Sequence, residues 1–134
     1  MDLNKLKESV YRANLALIES GLVLFTFGNV SGVDRQRAVV VIKPSGVPYD
    51  ALSPDNMVCV SLETAKVIDS DLNPSSDTPT HLALYRAFTS CGGIVHTHSE
   101  YATACAQARI PIRSMGTTHA DYFFGDIPVT REMS

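Results

Sequence analysis

"VVVIKPSGVPYDALSPDNMVCVSLETAKVI", residues Val39 to Ile68, decides the fold. It carries three short β-like runs, Val39 to Ile42, Val58 to Val60 and Lys66 to Ile68, separated by Gly, Pro, Asn and Asp. A fourth such run, Leu22 to Phe25, precedes them. Parallel neighbours need a long crossover, usually a helix, and these runs are too closely spaced for that. The sequence therefore predicts an α/β chain with a mainly antiparallel sheet and helices packed on it. Outward from the sheet, Leu3, Leu6, Val10, Ala13 and Leu17 recur at helical spacing, with Asp2 as cap and Gly21 as stop. Asp77-Thr78-Pro79 opens a second helix that runs to about Phe88. A third is expected near Glu100 to Ala108. There is no repeat, low-complexity segment or interdomain linker.

The chain has 134 residues, 45% of them hydrophobic and 19% charged, which suits one domain with a packed core and not a disordered segment. A net charge of −3 argues against a nucleic-acid partner held through phosphates. No apolar run reaches the length of a membrane span, and MDLNKLKESV lacks the basic-then-apolar pattern of a signal peptide. Cys59, Cys91 and Cys105 are odd in number and form no C-x-x-C pair. That favours reduced thiols and a cytoplasmic setting.

Chemistry-bearing residues gather in "GGIVHTHSEYA", residues 92 to 102. If Ile94 to His98 is a strand, His96 and His98 share one face with Cα atoms roughly 6 to 7 Å apart. Two imidazoles so placed can converge on one metal ion, or both can be structural. Asp77 is either a helix N-cap or a hard oxygen ligand that completes a set with them. His81, four residues on, shares the helical face of Asp77 as a core or supporting histidine. Three polar loops offer backbone and hydroxyls to an anion: Gly28-Asn29-Val30-Ser31, Lys43-Pro44-Ser45-Gly46 and Pro74-Ser75-Ser76-Asp77. The third leads into a helix N-terminus, where a phosphate is stabilised, yet each loop alone is also an ordinary turn. In Gly116 to Tyr122, His119 and Asp121 can act as acid or base, or belong to a plain polar loop.

Taken together, "GNVS", "VIKPSGV", "PSSDTPTH", "GGIVHTHS" and "GTTHADYFFGDIP" resemble, in order and over the whole chain, the class II aldolase/adducin family. The resemblance implies a three-layer αβα fold, with a mainly antiparallel central sheet flanked by helices. It implies a divalent metal, commonly Zn2+, on Asp77, His96 and His98. It implies sugar-phosphate contacts from Gly28, Asn29, Ser45, Gly46, Ser75 and Ser76, and a proton donor or acceptor at Asp121 near a subunit boundary of a homotetramer. Members of the family supply a further metal-binding histidine and a catalytic tyrosine downstream of "GDIPVTREMS". On that comparison residues 1–134 form a single domain lacking its C-terminal part, inactive alone, with His119 a weak substitute ligand.

The aspartate in "SSDTPTH" points to the epimerase branch of the family, because the aldolases it resembles carry Glu at that position. The implied reaction interconverts L-ribulose 5-phosphate and D-xylulose 5-phosphate in pentose catabolism. C4 lies β to the C2 carbonyl, so its C–H is not acidic. Simple deprotonation therefore cannot invert C4, whereas retro-aldol cleavage of C3–C4 and re-addition to the other aldehyde face can. The alternatives are a sugar-phosphate aldolase, which releases the aldehyde, and a non-catalytic, adducin-like interaction domain.

Overall fold

The computed structural model describes residues 2–132. They form two compact units, one through Thr97 and one from His98 onward. In the first, α1 (Leu3–Glu19) begins at Asp2, whose carboxylate accepts the Asn4 N–H at 3.1 Å. Past the helix, Gly21 takes φ +68°, which suits a residue without Cβ. The sheet has four strands, β1 (Asn29–Asp34), β2 (Val39–Ile42), β3 (Val58–Ser61) and β4 (Gly93–His96). Their order is β3-β2-β1-β4 and every neighbouring pair is antiparallel. α2 (Thr78–Ala87) leads from the third strand towards the fourth.

Strand alternation separates two apolar layers. Val39, Val41 and Cys59 pack with Leu6 and Val10 of α1 and with Tyr49, Leu52 and Met57. Val40, Ile42, Val58 and Val60 point the other way, with Val33, onto Leu82 and Tyr85 of α2. The first unit is thus the expected αβα arrangement around an antiparallel sheet. Two contacts seat α1 on β1. A Cβ on Gly32 would lie 2.9 Å from Leu6 Cδ1 and 3.0 Å from Val10 Cγ2, so the helix approaches bare backbone there. Val30 lies one residue beyond the end of the β1–β2 pairing. The buried Asn14 replaces the missing strand: its Oδ1 accepts the Val30 N–H at 2.9 Å and its Nδ2 donates to Val30 O at 3.1 Å.

Several expectations need correction. Leu22 to Phe25 is no strand; Leu24 and Phe25 are 70% and 87% exposed, and Phe25 takes φ +55°. The strand instead begins at Asn29, inside the segment read as a polar loop. It is a central strand, flanked on both sides, and its polar side chains find protein partners: Asn29 bonds Ser75 and Asp77, and Ser31 bonds His81 and Tyr85. Lys66 to Ile68 contributes one isolated bridge, Val60 to Val67, and no strand. β4 stops at His96 instead of running to His98. Its partner β1 begins opposite, at Asn29, after Gly28 turns the chain at φ +100°, so the ladder has nothing further to pair with.

In the second unit, α3 (Glu100–Gln107) is capped by Ser99, and α4 (Thr117–Tyr122) is a short helix where a polar loop was expected. An isolated bridge joins Ile112 to Ile127, and Arg109 pairs with Glu132. Among the described residues no helix is long and apolar enough to cross a membrane.

Candidate active site

The three polar loops of the first unit meet. Ser45 N–H donates to Asn73 O at 2.9 Å and Ser75 N–H to Lys43 O at 3.0 Å, with Pro44 and Pro74 bridged between them. The "KPSG" and "NPSS" segments are therefore a short antiparallel pair. Asn29 joins them from β1: its Nδ2 donates to Ser75 Oγ at 3.1 Å and to Asp77 Oδ2 at 2.7 Å. Gly28 is held by Tyr49, whose hydroxyl donates to its carbonyl at 2.9 Å. A Cβ there would stand 3.1 Å from both His96 O and Val23 Cγ2, at a φ that only glycine adopts freely.

Asp77 occupies the N-cap position of α2, but its side chain makes no capping bond. The capping reading fails and the carboxylate is committed elsewhere. Its Oδ2 accepts from Asn29 and, at 3.3 Å, from Ser75 Oγ, and lies 3.8 Å from His96 Nε2. His96 reaches it because it pairs with Asn29 across the β1–β4 ladder. Both side chains are about one-third exposed, so the pair is open to a ligand. Two ligand atoms on one tetrahedral zinc lie about 3.4 Å apart when each bond is near 2.1 Å. The Asp77–His96 separation and donor set therefore fit two positions of a shared divalent ion.

Ser45, Gly46 and Ser76 are exposed at the rim, and Gly46 takes φ +70°. Ser75 and Ser76 also line a cleft of about 360 Å³ with Pro79, Leu82 and Arg86. His98 and Asp121 belong to the second unit. His98 is exposed just before the capping Ser99, and Asp121 is exposed on α4, two residues after His119, whose Nε2 meets Gly125 O at 3.0 Å. Among the described residues no three His, Cys, Asp or Glu side chains cluster tightly enough to hold an ion.

Two residues gain a significance that the sequence reading did not give them. Lys43 is 2% exposed; its Nζ donates to Val47 O at 2.9 Å and Pro44 O at 3.3 Å and sits 4.8 Å from the Tyr49 ring centroid. Burial lowers its pKa. A lysine between a buried strand and a Pro-Ser-Gly turn was the available signal. Ser31, read only as part of a polar loop, is buried and contacts both His81 and Tyr85.

A mainly antiparallel sheet between helices is the fold of the class II aldolase family. Residues 8–134 match the Class II Aldolase and Adducin N-terminal domain, and the chain belongs to that family. Among solved structures, an L-fuculose 1-phosphate aldolase is 28% identical with a TM-score of 0.76, the match covering 82% of this chain and 51% of that one. YgbL from Klebsiella pneumoniae, provisionally described as an aldolase/epimerase/decarboxylase, is 27% identical with a TM-score of 0.78, over 97% of this chain and 63% of its own. YgbL from Escherichia coli is 26% identical with a TM-score of 0.69, over 79% and 50%. The chain spans from half to under two-thirds of the length of these structures.

Proposed function

We propose that the protein is a metal-dependent sugar-phosphate epimerase that interconverts L-ribulose 5-phosphate and D-xylulose 5-phosphate. The observation that carries this reading is Asp77: a carboxylate at a helix start, released from capping, held by Asn29 and Ser75 and 3.8 Å from His96 Nε2. Asp77, His96 and His98 would hold the ion. When bound, a divalent metal supplies Lewis-acid stabilisation of negative charge developing on the sugar's carbonyl-side oxygens. Ser45, Gly46, Ser75 and Ser76, from the two paired turns, take the phosphate, with the buried Lys43 ammonium adding positive potential behind them. Gly28 and Asn29 complete the sugar-phosphate contacts. Asp121 exchanges a proton with the C4 oxygen, in an assembly proposed to be a homotetramer.

A second reading is a sugar-phosphate aldolase, favoured by the likeness to L-fuculose 1-phosphate aldolase. An assay coupled to xylulose 5-phosphate, run on the full-length protein with zinc and L-ribulose 5-phosphate, separates the two. Appearance of D-xylulose 5-phosphate supports the epimerase. Net release of glycolaldehyde phosphate without the epimer overturns it in favour of the aldolase.

A further inference from the structure

The three polar loops of the first unit are joined as a triangle. Asn29, from the first loop, donates to Ser75 and Asp77 of the third. The second and third are joined through backbone, Ser45 N–H to Asn73 O and Ser75 N–H to Lys43 O. Tyr49 spans the remaining side, between the first loop and the second. Its hydroxyl donates to Gly28 O at 2.9 Å, and the Lys43 ammonium lies 4.8 Å from its ring centroid. One side chain thus meets the residue before Asn29 with its polar end and the residue before Pro44-Ser45-Gly46 with its ring.

Each end acts on backbone that carries candidate site residues. Gly28 O and the Asn29 nitrogen belong to one planar peptide group. Holding that oxygen therefore fixes the plane from which the Asn29 side chain departs. Glycine at φ +100° leaves this turn a freedom that a hydrogen bond removes. A larger residue could not remove it, since a Cβ would stand 3.1 Å from His96 O and Val23 Cγ2. At the other end, Lys43 Nζ donates to Pro44 O at 3.3 Å and Val47 O at 2.9 Å, carbonyls on either side of Ser45-Gly46. The negative face of the Tyr49 ring attracts the same ammonium, so the ring helps to hold the cation that ties this turn. Tyr49 has a firm footing for both tasks. It is 6% exposed, follows Pro48, opens a single helical turn, Tyr49–Ala51, and packs in the core with Val41 and Met57. Burial raises its pKa, so the hydroxyl stays a donor.

We propose that Tyr49 is a positioning residue for the sugar-phosphate site: its hydroxyl sets the Gly28–Asn29 peptide and its ring steadies Lys43 under the Ser45-Gly46 turn. Being buried, it acts through Asn29 and Lys43 and not on the substrate itself. The inference rests on the proposed reading of these loops as the sugar-phosphate site; the ordering of Asn29 by Tyr49 does not.

The test uses the full-length protein with three substitutions. Tyr49→Phe removes the hydroxyl and keeps the ring, Tyr49→Leu removes both, and Val10→Ala thins the same core cluster as a control. Loss of one hydrogen bond should raise KM for L-ribulose 5-phosphate about fivefold in Tyr49→Phe, with kcat within about twofold. Loss of the ring as well should raise KM about twentyfold in Tyr49→Leu. Val10→Ala should lower Tm and leave KM within about twofold. In protein labelled with 15N-asparagine, the Asn29 side-chain NH2 should exchange with water about tenfold faster in Tyr49→Phe than in the wild type, and at the wild-type rate in Val10→Ala. An unchanged KM in both Tyr49 variants overturns the proposal, as does an equal rise in Val10→Ala, which is what a merely structural role would give. If the wild type has no epimerase activity, the proposed function fails and the Asn29 exchange rates still decide this inference. Faster exchange in Tyr49→Phe than in Val10→Ala then supports it, and equal rates overturn it.

Discussion

At the scale of single residues, burial decides reactivity more than residue type does. Cys59 lies in the core beneath α1, beside Asp69, which is itself ion-paired to Lys7 at 2.8 Å. Desolvation, aided by the Asp69 carboxylate, pushes its thiol up to about 12. At pH 8 such a thiol is thiolate in only about one molecule in ten thousand, and the thiolate is the nucleophile. Iodoacetamide at pH 8 should label the partly exposed Cys91 and Cys105 and spare Cys59 until the protein is denatured, as peptide mass spectrometry would show. Labelling of Cys59 at the same rate in the native protein contradicts this account of the core. Lys43 makes the opposite trade. Its ammonium is buried against two carbonyls and a ring, without a carboxylate partner among the bonds it makes, so folding gains little from the charge. Lys43→Met should leave Tm unchanged or raise it, while affinity for L-ribulose 5-phosphate falls about tenfold, or ~1.4 kcal/mol. A drop in Tm with unchanged affinity would assign Lys43 to stability instead.

At the scale of elements, the β1–α1 contact explains both what the sequence disclosed and what it hid. Val39 to Ile42 and Val58 to Val60 were legible because β-branched runs are what buried strands favour. β1, "NVSGVD", was not, because Asn, Ser, Gly and Asp are residues of turns. Its strand character comes from being central: Asn14 completes its ladder, Gly32 admits α1, and Ser31 and Asn29 bond to α2 and its N-cap. Those partners are tens of residues away in sequence, and no local pattern announces them. The same geometry hid the end of β4 at His96, which is set by where β1 begins. Two substitutions test the contact. Asn14→Ala leaves the Val30 N–H and C=O unpaired in the interior and should cost about 2–4 kcal/mol. Gly32→Ala forces a methyl into Leu6 and Val10 and should cost about 1–3 kcal/mol. Urea unfolding of each variant measures both, and a loss below about 0.5 kcal/mol in either would mean α1 is not seated by that residue.

At the scale of the whole molecule, stability should carry the signature of a neutral buried histidine. The His81 pKa is lowered, first by desolvation and then by the proximity of His96, with Asp77 opposing. In the unfolded chain His81 titrates near its ordinary 6.5. Between the folded and unfolded values the unfolded chain binds more protons, so stability falls as pH falls. The contribution is intact above about pH 6.5 and is lost on acidification below it, with a slope of up to about 1.4 kcal/mol per pH unit. Asp34 and Asp69 act in a different window. Arg37 donates to Asp34, and Lys7 and Cys59 bond to Asp69 strongly enough to outweigh its burial, so both carboxyls titrate below their ordinary 3.8. Their stabilising share is present above that value and is lost only as pH falls through the folded pKa. Acid unfolding should therefore have two limbs, one beginning near pH 6.5 and one below about pH 4. His81→Gln cannot titrate and should flatten the first limb while leaving the second. Urea midpoints from pH 8 to 3.5, taken with a chelator so that metal release does not add its own proton linkage, measure both limbs. A first limb of equal slope in wild type and His81→Gln would place the titrating group elsewhere and remove His81 from the acid response.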